Sequence, residues 1–163
     1  TMRKPVTAVA KQKAMVTAGD EVACFVQKTA EALGLQIKPT AARPGELKCV
    51  GWCLKRAADD RETFVKVLRL GAELCTQDDM PIAERLLEGL WVLNDRCGAG
   101  LADQRFVKRL QERGGRVLLD AANKAAAYYA SGGGRIWAQG MLAELNKGLQ
   151  ERRRFSMDGG VEA

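Results

Sequence analysis

Five cysteines, Cys24, Cys49, Cys53, Cys75 and Cys97, are the softest and most nucleophilic side chains of this 163-residue chain, and no histidine accompanies them. A thiol acts as a nucleophile when a neighbouring base or cation holds it as thiolate. Without imidazole the commonest such base is missing, and so is every triad built on it. A tetrahedral zinc site needs four ligands. Cys49 and Cys53, at i,i+4, place only two on one helix face. The remaining acid–base groups are carboxylates, of which Glu84 and Glu88 share a helix face and Glu62 and Glu73 lie upstream. A di-iron centre built from helices takes Glu-x-x-His pairs, which this chain lacks. The cysteines therefore read as small buried hydrophobes of a reduced, cytoplasmic protein. The expectation is a non-enzymatic chain with no metal and no cofactor.

Non-covalent chemistry is better represented. The formal charge is +6, and it is unevenly spread. Arg3, Lys4, Lys11 and Lys13 form a basic start, whereas 59–88 carries eight acids, among them Asp59, Asp60, Asp78 and Asp79. Positions 104–116 turn basic again, and the chain closes on Arg152, Arg153 and Arg154. Arg105, Lys108, Arg109 and Arg113 recur at i, i+3, i+4 and i+8, which groups them on one side of a helix while Phe106, Val107 and Leu110 take the other. Such a face suits phosphate oxygens or an acidic protein surface. Arg135, behind Gly132-Gly133-Gly134, and Lys147 complete the candidate nucleic-acid contacts with Arg152, Arg153 and Arg154. The glycine run lacks the G-K-[ST] of a phosphate-binding loop and reads foremost as a joint between helices. The span Asn94–Asp103 before the basic segment resembles a loose helix-turn-helix, longer than the usual turn. Tyr128 and Tyr129 are candidate exposed aromatics beside the glycines, one expected packed and one on the surface.

Helices must position all of these groups. Apolar residues recur at helical spacing almost throughout, and the breaks fall at Gly19, Gly34, Gly98, Gly114-Gly115 and Gly132-Gly133-Gly134. Asp20 and Asp103 are placed to cap the helices that follow them, and Asp59-x-x-Glu62 has the form of a capping box. A third helix is expected from near Glu46, a fifth opened by Pro81, and a last one from about Arg135 to Arg153. That last helix would align Trp137, Met141, Leu145 and Leu149 at i,i+4 steps. Leu35-Gln36-Ile37 reads as briefly extended. The fold expected is all-α, a compact single-domain bundle of about seven or eight helices. Residues 1–10 would form a basic N-terminal arm, 11–155 the helical domain and 156–163 a flexible C-terminal tail. No apolar run approaches the length of a membrane span, and the charged start resembles no secretory leader.

The order of several short segments carries a further signal. Lys13-Ala14-Met15-Val16-Thr17-Ala18-Gly19-Asp20 is followed by Ala32-Leu33-Gly34-Leu35-Gln36-Ile37 and Gly45-Glu46-Leu47-Lys48-Cys49-Val50. Val67-Leu68-Arg69-Leu70, Leu87-Glu88-Gly89-Leu90, Asp103-Gln104-Arg105-Phe106-Val107-Lys108-Arg109-Leu110 and Leu145-Asn146-Lys147-Gly148-Leu149-Gln150-Glu151-Arg152-Arg153-Arg154 come next. Over about 11–155 this succession resembles the C-terminal helical region of ParB-like proteins from phages, plasmids and related mobile elements. The resemblance implies a module tied to DNA maintenance or transcriptional control in a bacterial host, cytoplasmic or nucleoid-associated. The ParB/sulfiredoxin-like domain that precedes this region in those proteins is not found in residues ahead of Lys11, and the Gly-Glu-Arg-Arg nucleotide box is missing. Nuclease or nucleotidase activity is therefore not carried over. The partners expected are DNA, through non-specific phosphate contacts, or an acidic protein surface, with a homodimer as one arrangement and no membrane.

Overall fold

In a computed structural model, residues 6–130 and 132–157 are described. Eight α-helices and one two-stranded parallel pairing make up their regular structure. In chain order these are α1 (Ala8–Thr17), α2 (Glu21–Ala32), β1 (Gln36–Ile37), β2 (Glu46–Leu47), α3 (Val50–Asp59) and α4 (Arg61–Gln77). Then follow α5 (Glu84–Arg96), α6 (Gln104–Arg113), α7 (Gly115–Tyr128) and α8 (Gly134–Asn146), with 3-10 turns at Gly100–Ala102 and Glu151–Arg153. The all-α bundle anticipated from the periodicity is what forms.

One core unites these elements. Phe64, Leu68 and Leu74 of α4 and Leu86, Leu87, Leu90 and Leu93 of α5 are fully buried, and Leu118, Met141 and Leu145 bring α7 and α8 onto them. The glycines let backbones approach: a Cβ on Gly140 would stand 2.5 Å from the Ala121 carbonyl and 2.7 Å from the Ala125 Cβ. The helix starts are held by short polar side chains. Thr7, Asp20, Asp60 and Asp103 each accept from a backbone amide of the turn they precede. The start of α7 is capped from afar, because Asp78 Oδ2 accepts from the Arg116 amide at 2.9 Å.

Several expected boundaries move. Glu46 does not open a helix. Its backbone pairs with Gln36 in β2, and its carboxylate accepts from the Ala42 and Arg43 amides and meets Lys38 at 3.1 Å, so α3 begins at Val50. Asp60 rather than Asp59 caps α4, one residue later than the capping-box reading placed it. Met80 and Ile82 are buried in an extended connection, and α5 starts at Glu84, three residues after Pro81. The last helix stops at Asn146, not Arg153, because Gly148 takes a left-handed φ of +79° and turns the chain. At the ends, the arm assigned to 1–10 gives up Ala8, Val9 and Ala10 to α1, and Val9 is buried. The body runs on to Met157, which is buried beyond the expected limit at 155. Arg3 and Lys4 of the arm, Ser131, and 158–163 of the tail lie outside the described residues.

Candidate nucleic-acid interface

The basic surface is assembled from α6 and the segment after α8. Asp103 Oδ1 fixes the start of α6 by accepting from Arg105 N at 2.9 Å, and Phe106 and Leu110 bury its inner side. Arg105, Lys108, Arg109 and Glu112 are left along the outer side. Beyond α8 the chain doubles back beside α6 and is locked there by one asparagine. Asn146 donates through Nδ2 to the Phe155 carbonyl and accepts at Oδ1 from the Phe155 amide, both at 2.8 Å. Phe155 then packs edge-on against Phe106, with ring centroids 5.1 Å apart. Two stretches of sequence some forty residues apart thus share one surface.

The cations do more than face solvent. Arg109 donates from Nε to the Leu145 carbonyl at 2.8 Å and from Nη2 to the Lys147 carbonyl at 2.6 Å, supplying donors and positive charge to the C-terminal end of α8. Arg105 donates to the Arg153 carbonyl at 2.8 Å, and its guanidinium lies 4.1 Å above the Phe155 ring centre. Arg154 donates back to the Leu149 carbonyl at 3.1 Å. Carbonyls are neutral, so these bonds orient the guanidiniums without cancelling their charge.

Arg105, Lys108, Arg109, Glu112 and Arg153 surround a shallow notch of about 190 Å³ floored by Leu149 and Phe155. Four cations there face one carboxylate, Glu112, which stands 3.5 Å from Arg109. Arg152 sits in the same 3-10 turn as Arg153. The side chains of Lys108, Arg152 and Arg153 are in exposed residues and make no hydrogen bond or ion pair among the described residues.

Three expected members behave differently. Arg113 and Lys147 both bind Glu144, at 2.6 and 2.7 Å, and so form a triad in which one positive charge is cancelled. The bond from Lys147, then that from Arg113, holds the Glu144 carboxyl below the usual carboxylate range. Arg135 is exposed near the first residue of α8, about 18 Å along that helix from Lys147. It does not join the notch.

The other candidate chemistry is internal. The Glu88 carboxylate occupies the approach to the glycine joint: a Cβ on Gly134 would stand 2.7 Å from Glu88 Oε2. Glu88 is itself bound by Arg56, with Nη2–Oε2 2.6 Å, and by the Trp52 indole at 2.8 Å, while Arg56 stacks over Trp91. It therefore serves as the counter-ion of a packed Arg–Trp cluster, and Glu84 stays exposed one turn away. Among the described residues no group of three or more cysteines and carboxylates is placed to hold a metal. Cys24 is half-buried, and Cys49, Cys53, Cys75 and Cys97 are buried. Tyr128 and Tyr129 are both exposed, against the expectation of one packed ring.

Sequence reasoning missed Asn146 and Phe155, which shape the surface. Gly148, two residues past Asn146, was the available signal that α8 ends there. No protein family, curated protein or solved structure matches this chain. No helix among the described residues is long and apolar enough to cross a membrane.

Proposed function

We propose that this chain is a non-enzymatic, DNA-associated helical module of the ParB-like kind, acting in plasmid maintenance or transcriptional control by contacting phosphates. The observation that carries the reading is the notch, where Arg105, Lys108, Arg109 and Arg153 converge on one surface against a single carboxylate. Arg105 and Arg109 are held by neutral carbonyls, so their ordering is already met before a phosphate arrives. Lys108, Arg152 and Arg153, unpaired among the described residues, can close on it. Contacts of this type position a protein on a duplex without reading bases. The α6 face, half consumed in holding the tail, is poorly suited to lie in a major groove as a reading helix would.

The test is fluorescence anisotropy with a random duplex and a random single strand across a salt series. Each engaged phosphate contributes about −0.9 to the slope of log affinity against log salt on duplex, so six contacts give roughly −5. The triple variant Lys108→Glu, Arg152→Glu, Arg153→Glu breaks no side-chain bond among the described residues and is expected to abolish binding, while Arg135→Glu leaves it nearly intact. Undetectable binding by the native chain, or binding insensitive to salt, refutes the proposal and leaves an acidic protein surface as the partner of the basic face.

A further inference from the structure

Among the described residues the outer face of α7 is left uncovered, and its chemistry differs from that of the basic notch. Four large hydrophobic residues are exposed among the described ones, and three belong to α7 or its cap: Val117 at 37%, Tyr128 at 83% and Tyr129 at 55%. The two tyrosine rings meet edge-on at 4.9 Å and stand as one aromatic knob at the C-terminal end of α7. Beside them a groove of about 540 Å³ runs between α7 and α8, ending at Val117 and Lys147. The groove exists because Ala121 and Ala125 meet Gly140 too closely for larger side chains to fill it.

Charge along this face decides the occupant. Asp120 and Lys124 both line it, one turn apart, and neither forms an ion pair among the described residues. Asp120 and Glu144 against Lys124 and Lys147 leave the face balanced, which does not suit a phosphate backbone. The order is instead self-complementary. Laid antiparallel on a copy of itself, with the two-fold axis at the level of Ala122, α7 brings Asp120 opposite Lys124 of the other copy, and the reverse. The same placement carries the tyrosine knob to the partner's Val117 end of the groove, level with Arg116, whose guanidinium also donates to the Asp78 carbonyl at 3.1 Å. Isologous contacts between like chains require this reciprocity, and aromatic rings beside guanidinium or ammonium groups are favourable there. We propose that α7 is the homodimer surface of this protein. The inference stands apart from DNA association, since no residue of the notch takes part.

A 14-residue helix is about 20 Å long, so the buried area falls at the small end of specific interfaces and the dimer should be reversible. Sedimentation velocity over a concentration series is the test, with charge exchange as its core. Asp120→Lys and Lys124→Asp singly place like charges opposite each other, and each is expected to weaken the dimer at least tenfold. The double variant D120K/K124D restores opposite charges across the axis and should recover native association. Tyr128→Ser should weaken it similarly. Asp120, Lys124 and Tyr128 are all exposed, so circular dichroism should stay native throughout. A native chain that remains monomeric to its solubility limit overturns the proposal and leaves α7 to a different protein. Single variants that dimerise as the native chain does, or a double variant that fails to recover, overturn it by moving the interface elsewhere.

Discussion

At the residue scale, environment rather than residue type decides reactivity here. Cys53 is pushed well above the usual thiol range by its hydrogen bond with Cys49 and by burial, and burial raises Cys75 to about 11. Both stay protonated at neutral pH. Brief iodoacetamide treatment of the native protein should therefore add one adduct, at half-buried Cys24, while treatment in urea should label all five cysteines by intact mass. Glu144 offers the clearest pH dependence. Its folded pKa lies below the usual 4.5 because Lys147 and Arg113 bind the carboxylate. As pH falls, the unfolded chain takes up the proton first. The triad's contribution is thus complete above about 4.5 and lost as pH drops through the lowered folded value. Glu144→Gln is expected to cost about 1 kcal/mol at pH 7, a figure discounted for solvent screening. Its thermal melts should converge with those of the native chain as pH falls below 4.5 and through the lowered folded value.

At the element scale, backbone proximity outweighs helix propensity. Replacing an exposed helical glycine by alanine is normally worth about 0.5–1 kcal/mol. Gly51, on the outside of α3 with open space where a Cβ would go, should show that gain. Gly140 should show the opposite sign, because its added methyl would strike the Ala121 carbonyl, a backbone atom of α7 that only a shift of the whole helix can relieve. Overpacking of this kind costs about 1–3 kcal/mol, so Gly140→Ala should destabilise while Gly51→Ala stabilises, as read by urea midpoints at unchanged slope. The C-terminal segment illustrates the same rule. Leu145 and Leu149 kept helical spacing in sequence, yet α8 ends between them, because Arg109 donates to the Leu145 and Lys147 carbonyls, Gly148 turns the chain and Asn146 anchors Phe155.

At the scale of the whole molecule, charge order along the sequence is not charge order on the surface. The acidic span 59–88 is broken up on folding: Glu88 is neutralised by Arg56 inside an aromatic cluster, Asp78 caps α7, and Asp60 caps α4. The basic stretches 104–116 and 147–154 are merged instead, and merging is what creates the notch. Glycine positions, helical periodicity and the Asp caps were local properties, so the all-α class and the starts of α2, α6 and α8 followed from the chain alone. So did the exclusion of imidazole chemistry and the face of α6 that would be basic. The errors at Glu46, Pro81 and Arg153 have a common origin. A strand pairing, an extended buried connection and a doubled-back tail are each stabilised by groups many residues away, through Gln36, the Ile82-to-Glu46 hydrogen bond and Arg109. Tertiary structure alone determined which cations were consumed in holding the fold and which stayed free. A guanidinium chooses its partner by distance in space, and periodicity reports only which side of a helix it leaves from.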